Sequence, residues 1–170
     1  MKIIESDRLY IRTLSLTDTP TLYSEIFSDP DVVKHTFGQE IGNLSQAQNY
    51  IASNGNFNDY FGLSALVNKE EDQVIGLAGV LECNYLGQTD YEFGFILGKN
   101  HWGKGYATEI GQAQIDYIKN TLNTPRVIAL AEKSNIGSVK TLQRLGLTYT
   151  KTVTTADRGD RDVFILAFNR

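Results

Sequence analysis

Apolar residues recur along the chain at two different spacings, which separate its predicted strands from its predicted helices. Short runs rich in β-branched and aromatic residues indicate strands, and they occupy residues 9–14, 61–67, 74–85, 91–97, 126–131, 147–155 and 161–168. Four other stretches repeat apolar residues every three or four positions, as helices with one packed face do, and they begin near residues 17, 45, 106 and 135. The resulting order, β-α-α-β-β-β-α-β-α-β-β, predicts an α/β (α+β) fold.

Polar residues mark where the predicted helices begin and end. Thr17 and Asp18 can cap the first helix. Ser45 and Gln48 match a capping box, which opens a second helix running to about residue 54. Gly146 suits the position just past the end of the fourth helix.

The connections predict how the strands pair. The charged turn at residues 68–73 joins two strands in a long hairpin, and the strand at 91–97 extends it to an antiparallel meander. The strand at 126–131 follows a helix, as in a parallel crossover connection. Residues 156–160 join the last two strands in a closing hairpin. We therefore expect one mixed central β-sheet in a single domain of residues 1–170.

Composition and charge narrow the class of protein. The chain has 170 residues, 41% of them hydrophobic and 21% charged, which suits a globular protein with a sizeable core. Its formal net charge of −4 makes a nucleic acid an unfavourable partner, so none is expected. A cationic acceptor is mildly favoured.

The cysteine, the histidines and the amino-terminal residues argue against several further classes of protein. Cys83 is the only cysteine, so no intrachain disulfide forms and a reducing compartment is expected; its type favours a small buried side chain over a nucleophile. His35 and His101 have no metal-ligand partner at a recognised spacing, so no metal is expected. The charged start lacks the apolar core of a signal peptide, and no run reaches about eighteen apolar residues. We expect a cytoplasmic protein with no membrane segment.

A glycine-spaced turn joins the strand at 91–97 to the third helix. Gly103 and Gly105 leave backbone N–H groups uncovered just where the helix begins, near Tyr106. The free N–H groups and the dipole of a helix start favour an anion, so the turn predicts a phosphate site. The P-loop pattern is absent, and Thr108 stands where a dinucleotide fingerprint needs a third glycine. A glycine-rich connection without a ligand is the alternative.

The same turn resembles the acyl-coenzyme A loop of the GNAT N-acetyltransferases. The family pattern is Gln/Arg-x-x-Gly-x-Gly/Ala, and residues 102–107 read Trp-Gly-Lys-Gly-Tyr-Ala. The tryptophan departs from the pattern. The longer stretch of residues 102–109, Trp-Gly-Lys-Gly-Tyr-Ala-Thr-Glu, is similar to the RimJ/RimL-type branch, which acetylates protein N-termini, polyamines and other amines. The order of elements is also that of the GNAT fold. The resemblance implies acetyl-coenzyme A as acetyl donor, bound by Trp102, Gly103, Lys104, Gly105, Tyr106, Ala107 and Thr108.

The resemblance also implies roles for the strand before the turn. Glu92 is the candidate general base, because the family often places a glutamate here to accept the amine proton, frequently through water. Phe95, Ile96 and Leu97 are expected to offer backbone groups to the pantetheine arm and to the thioester carbonyl. A hydrogen bond from Glu92 to a neighbouring loop, and core packing by the three apolar residues, are the alternative structural roles.

A second family motif, Asn-x-x-Ser, is matched by Asn135 and Ser138 at the start of the fourth helix. It implies that Asn135 bonds the pantetheine arm and that Ser138 donates to the departing sulfur. Many relatives have a tyrosine acid four residues later, where this chain has Leu142, so we assign the acid role to Ser138. Lys140 or Arg144 is expected to meet the nucleotide phosphate. Ordinary helix capping is the alternative role of the motif.

The function predicted is transfer of an acetyl group to a primary amine of a protein N-terminus, a polyamine or a small molecule, by direct attack in a ternary complex. A non-catalytic acyl-coenzyme A sensor and a nucleotide-binding regulatory domain are the alternatives. The resemblance places the acceptor near residues 29–40 and 156–161, and it makes a homodimer the expected assembly. Glu109 falls on the polar side of the third helix and is expected to be solvated.

Overall fold

One mixed sheet of eight strands organises the part of the chain that the computed structural model describes, residues 1–37 and 41–169. The strands are β1 Lys2–Glu5, β2 Leu9–Arg12, β3 Ser64–Asn68, β4 Gln73–Cys83, β5 Asp90–Leu97, β6 Arg126–Ala131, β7 Thr148–Thr155 and β8 Gly159–Ala167. Their spatial order is β1-β2-β3-β4-β5-β6-β8-β7. All neighbours are antiparallel except β5 and β6, which are parallel. The predicted meander, crossover and closing hairpin are confirmed.

Five α-helices flank this sheet within the described residues. They are α1 Thr19–Leu22, α2 Pro30–Val33, α3 Leu44–Asn54, α4 Tyr106–Asn120 and α5 Ile136–Arg144. The first predicted helix is observed as α1 between a 3₁₀ turn, Leu16–Asp18, and a π-helical turn, Tyr23–Phe27. No helix in this part of the chain is long and apolar enough to span a membrane.

Two apolar cores lie on the two faces of the sheet. The first packs α4 and α5 against the sheet, and Phe93, Ile110 and Leu142 are among its buried residues. The second lies under α1 and α3, and Leu22 and Ile51 are among its members. Successive side chains of β5 point to opposite faces, as strand geometry requires. The strand therefore contributes to both cores.

The strand β1 is absent from the sequence prediction. It has only four residues and pairs with β2 through a bulge between Lys2 and Ile4, so its local apolar signal is weak. Pairing with a neighbouring strand, together with a hydrogen bond of 2.9 Å from the Met1 ammonium to Thr13 Oγ1, holds it at the sheet edge.

Two predicted helix caps are wrong by a few residues. Asn43, not Ser45, caps α3: its Oδ1 accepts from the Gln46 N–H at 2.8 Å, and Gln46 Oε1 accepts from the Gly42 N–H at 2.6 Å. The cap thus lies two residues earlier than predicted, because the extended backbone needed at a cap occurs at Asn43, and Gln46 reaches back to the residue before the cap rather than to the cap itself. Ser15 likewise replaces Thr17 as the side-chain cap of the first helical segment. The other predicted residue, Asp18, completes the capping box of Ser15 and stands at the N-cap position of α1 without a side-chain cap bond.

The parallel neighbours β5 and β6 open a gap in the sheet. They are in register at Glu92 and Ile128. Beyond that point, residues 94–96 of β5 and 129–131 of β6 line a cavity. This edge of β5 beyond Glu92 therefore borders the cavity without a strand partner, next to the turn that precedes α4, although the Gly94 carbonyl accepts from Gln114 Nε2 at 3.1 Å.

Candidate functional site

A cavity of about 510 Å³ extends from the carboxyl end of β5 to the starts of α4 and α5. Its walls include most residues that the sequence assigned to donor binding, namely Phe95, Ile96, Leu97, Trp102, Gly103, Gly105, Tyr106, Ala107, Thr108, Asn135 and Ser138. Two assigned residues, Lys104 and Lys140, are exposed and do not line it. The fold therefore gathers three separate sequence segments around one space.

The turn before α4 has the backbone conformation of an anion cradle. Gly103 and Gly105 have φ angles of 76° and 79°, values that residues with a side chain rarely adopt. Gly105 is the N-cap of the 15-residue α4, and no side chain caps that helix. A Cβ placed on Gly103 would meet no atom within 4 Å, so the space beside the turn is open. The first-turn N–H groups of α4 can thus receive an anion such as a diphosphate.

A side-chain clamp holds this turn against the amino-terminal strands. Glu109 accepts from Arg8 Nε at 2.7 Å, from the Arg8 N–H at 2.9 Å and from Ser6 Oγ at 2.5 Å. Arg8 Nη1 donates to the Lys104 carbonyl at 2.9 Å, and its guanidinium lies 4.5 Å from the Tyr106 ring centre. Burial alone would raise the pKa of Glu109, but hydrogen bonds from Ser6 and Arg8 outweigh that effect and lower it. The expectation that Glu109 is simply solvated is wrong, because distant Arg8 and Ser6 fold over it.

Two other residues around the cavity, Trp102 and Arg144, contribute in different ways. Trp102 is 47% exposed, and its indole Nε1 donates to the Leu97 carbonyl at 2.9 Å. That carbonyl is consequently occupied by the protein itself. Arg144 lines the cavity and donates to Thr108 Oγ1 at 3.4 Å, so of the two cations proposed for the nucleotide phosphate it is the one at the cavity wall.

The Asn-x-x-Ser segment combines helix capping with free polar groups. Asn135 Oδ1 accepts from the Ser138 N–H at 3.3 Å, which caps α5. Within residues 1–37 and 41–169, the Asn135 side-chain amide donates no hydrogen bond and the Ser138 hydroxyl makes none. Both groups line the cavity. Capping and ligand contact are therefore compatible roles of the same two residues.

A second, smaller cavity of about 150 Å³ adjoins the first. The two share wall residues, which are His35, Thr36, Phe95, Ile96, Asn135 and Ser138. Glu92, Arg158 and Arg161 line only the smaller one. The fold thus brings Glu92 and Ser138, the two predicted catalytic residues, to the same cavity although 45 residues separate them in sequence.

The surroundings of Glu92 favour its neutral form. The residue is 7% exposed, and its Oε2 has no hydrogen-bond partner among the described residues. Burial raises the pKa of Glu92, while Arg158 and the Tyr85 hydroxyl act in the opposite direction. Burial also raises the pKa of Tyr85 to about 12, so the phenol stays protonated at neutral pH. A carboxyl group with a raised pKa and a free oxygen is suited to accept a proton.

Sequence reasoning missed several residues of the smaller cavity. His35 Nδ1 lies 3.1 Å from Glu132 Oε1 and 3.3 Å from Ser134 Oγ. Hydrogen bonds from Ser134 and His35 lower the pKa of Glu132. Arg158 and Arg161 lie in a stretch that the resemblance placed near the acceptor, but no motif singles them out. The other predicted acceptor stretch, residues 29–40, ends outside the described residues.

Other chemistries have little support in the described part of the chain. No group of three or more His, Cys, Asp or Glu side chains there could hold a metal ion. Burial, with Glu92 and Asp90 adding to it, raises the pKa of Cys83 to about 12. A thiol with that pKa is almost entirely protonated at neutral pH and is a poor nucleophile.

Comparisons with known proteins show similarity over most of the chain. Residues 8–148 match the family described as acetyltransferase (GNAT) domain. The uncharacterized N-acetyltransferase p20 of Bacillus licheniformis is 35% identical over 153 residues, covering 85% of this chain and 82% of p20. A GNAT-family acetyltransferase from Bacillus anthracis has a TM-score of 0.78 at 22% identity, covering 98% of both chains. RimL, a ribosomal alpha-N-protein acetyltransferase solved with coenzyme A, has a TM-score of 0.74 at 12% identity, covering 98% of both chains.

Proposed function

The chain belongs to the GNAT family of N-acetyltransferases, and from this we propose that it moves the acetyl group of acetyl-coenzyme A to a primary amine. The acceptor amine belongs to a small molecule, a polyamine or a protein N-terminus. One observation carries the proposal: the cavity that ends at the glycine turn adjoins the cavity that holds Glu92, and Ser138 lines both. A donor and an acceptor bound in the two cavities would meet at that shared wall.

Donor binding rests mainly on backbone groups. The N–H groups of the turn and of the first turn of α4 suit the diphosphate of coenzyme A, and Arg144 supplies a cation at the same wall. The edge of β5 beyond Glu92 offers backbone groups for the pantetheine arm, with the Asn135 amide beside it. The larger cavity thus offers contacts for the diphosphate and for the pantetheine arm of the donor.

The acetyl transfer step uses two side chains. The amine nitrogen forms a bond to the acetyl carbonyl carbon while the carbon–sulfur bond breaks. Glu92 accepts the proton that the amine loses, and its raised pKa makes that transfer less unfavourable. The Ser138 hydroxyl donates a hydrogen bond to the departing sulfur, whose thiol has an ordinary pKa of about 8.5.

The test is release of free thiol from acetyl-coenzyme A in the presence of a panel of amines. Replacing the proposed base, Glu92→Gln, should lower kcat at neutral pH by about a hundredfold or more while calorimetry shows unchanged affinity for acetyl-coenzyme A. Glu82→Gln is the matched control, because Glu82 is exposed on the neighbouring strand β4. Absence of binding heat and of thiol release with every amine would disprove the proposal. Binding without release would instead support the non-catalytic sensor.

A further inference from the structure

The smaller cavity is lined by two arginine side chains that have little else to bind. Arg161 has a side chain that is only 7% exposed, and that of Arg158 is 32% exposed. Arg158 lies in the turn between β7 and β8, and Arg161 lies near the start of β8. Both line the same cavity as Glu92. An arginine is rarely buried without a partner, because its charge must leave water.

The hydrogen bonds of Arg161 leave most of its donors uncommitted. Nη1 donates to the carbonyl oxygens of Arg158, at 2.5 Å, and Asp160, at 2.9 Å. Throughout the described residues, Nε and Nη2 donate to no acceptor. The nearest carboxylate, Glu132 Oε2, is 3.9 Å from Nη1, which is too far for a hydrogen bond. A guanidinium has five N–H donors in a planar fork, so the groups that remain match an external carboxylate.

Arg158 is also weakly engaged. Its Nε lies 3.8 Å from Asp157 Oδ1, and the Asp157 side chain is 80% exposed. In the part of the chain that the structure covers, the Arg158 guanidinium makes no hydrogen bond. An exposed ion pair of this length contributes little. The cavity therefore presents a second cation that is available to a ligand.

The acidic groups of the cavity differ in availability. The Glu132 carboxylate accepts from Ser134 Oγ at 2.5 Å and lies 3.1 Å from His35 Nδ1, so one of its oxygens is already engaged by the protein. Glu92 has one oxygen without a partner. Glu132 is the more engaged of the two, because its other oxygen lies 3.9 Å from Arg161 Nη1. The cavity consequently offers an amine the free oxygen of Glu92 and offers an anion two guanidinium groups.

We propose that the acceptor is a small molecule of the amino-acid type, carrying a carboxylate close to its primary amine. This rests on the acetyl-transfer function proposed above. The amine faces Glu92 and the carboxylate is bound by Arg161 and Arg158, an arrangement in which a guanidinium can form two parallel hydrogen bonds. The cavity volume of about 150 Å³ lies below the range of about 300–1,000 Å³ for drug-sized ligands. A polyamine is disfavoured because it brings further positive charge toward the two arginines.

The experiment compares matched acceptors by the rate of thiol release from acetyl-coenzyme A. Each of the common L-amino acids is assayed beside its α-amide and beside the amine that lacks the carboxyl group; spermidine and dipeptides with an acidic second residue complete the panel. We expect kcat/KM for the best amino acid to exceed that of its amide by about tenfold or more, the effect of losing a charged hydrogen-bond partner. Arg161→Gln and Arg158→Gln should each reduce this ratio while acetyl-coenzyme A affinity stays unchanged.

A control variant and the contrary outcomes make the test decisive. Lys133→Gln removes one positive charge from an exposed residue outside both cavities and should leave the ratio unchanged. If Arg161→Gln does not fold, Arg158→Gln and Arg161→Lys take its place. Equal or faster turnover of amides, spermidine or acidic dipeptides overturns this proposal but leaves acetyl transfer intact. The panel also pairs 2-aminoethylphosphonate with β-alanine, and a preference for the phosphonate overturns the carboxylate assignment. No turnover and no donor binding instead disproves the enzymatic function.

Discussion

The carboxyl group of Glu92 is buried in a position where its negative charge is poorly compensated. One oxygen has no partner among the described residues, and Arg158 is the main opposing cation. Protein interiors tolerate such a group when it is neutral, or when a ligand completes its surroundings. Burial of Glu92 therefore lowers the stability of the folded protein and at the same time places a proton acceptor beside the cavity.

The burial of Glu92 predicts how the stability of the protein depends on pH. Because the pKa of Glu92 is raised in the folded protein, the folded state binds its proton more tightly than the unfolded state. Its contribution to stability is fully present below the unfolded pKa of about 4.3 and is lost as pH rises through the folded pKa. The melting temperature of Glu92→Gln minus that of the wild type should accordingly increase between pH 4.5 and pH 8. Parallel melting temperatures across that range would contradict the prediction, and Glu82→Gln should show no such trend.

A second prediction concerns Ser138, whose hydroxyl makes no hydrogen bond within the described residues. Ser138→Ala should lower kcat by about tenfold to a hundredfold, at or below the low end for acid–base catalysis, because a thiolate of ordinary pKa leaves without full protonation. Single-turnover kinetics at saturating donor would measure the effect. An unchanged kcat with a raised KM for acetyl-coenzyme A would show that Ser138 binds the donor without assisting its departure.

The turn before α4 depends on two glycines in the left-handed region, and this predicts separate effects on stability and binding. Gly103→Ala should cost about 1–2 kcal/mol of stability through backbone strain and should also weaken acetyl-coenzyme A binding. Gly87→Ala is a matched control: its φ is 83°, and a Cβ there also meets no atom within 4 Å. It should lose similar stability but keep donor affinity. Calorimetry and thermal melts of both variants separate the two effects, and equal donor affinity would exclude the turn from the binding site.

The clamp between Arg8 and the turn gives a further prediction. Arg8→Met removes the hydrogen bonds to Glu109 and to the Lys104 carbonyl, so the turn should lose part of its preorganisation. We expect the Kd for acetyl-coenzyme A to rise by about tenfold, corresponding to about 1.4 kcal/mol, with the acceptor KM unchanged. Lys2→Met is the control, because Lys2 also lies over a tyrosine ring, at 4.8 Å, but contacts no part of the turn. Equal donor affinity of both variants would contradict a positioning role for Arg8.

The molecule as a whole should be stabilised by its donor. The larger cavity is bordered by β5, α4 and α5, which also form the first core, so a ligand there binds the folded state and not the unfolded chain. Acetyl-coenzyme A at a hundred times its Kd should contribute about 2.7 kcal/mol and raise Tm by about 5 °C or more for a chain of this size. ATP and NAD should give smaller shifts. A larger shift with either nucleotide would favour the regulatory-domain alternative.

The fold was largely predictable because its signals are local. Apolar spacing located seven strands and the four main helical segments, and short charged or glycine-containing turns specified which strands are neighbours. The errors occur where a tertiary contact outweighs a weak local signal: β1 is held by β2 and by Thr13, and Glu109 is covered by Arg8 from a distant segment.

The amino-acid sequence alone was enough to identify the GNAT family and to assign most residues around the larger cavity, because a glycine turn and an Asn-x-x-Ser cap act through backbone geometry that short motifs encode. Tertiary structure was needed to show that β5 and β6 open beyond Glu92, and that Arg158, Arg161 and His35 line the adjoining cavity. His35 comes from a segment far in sequence from the two arginines. The burial, pairing and charge balance of these side chains depend on how distant parts of the chain pack, which no local pattern records.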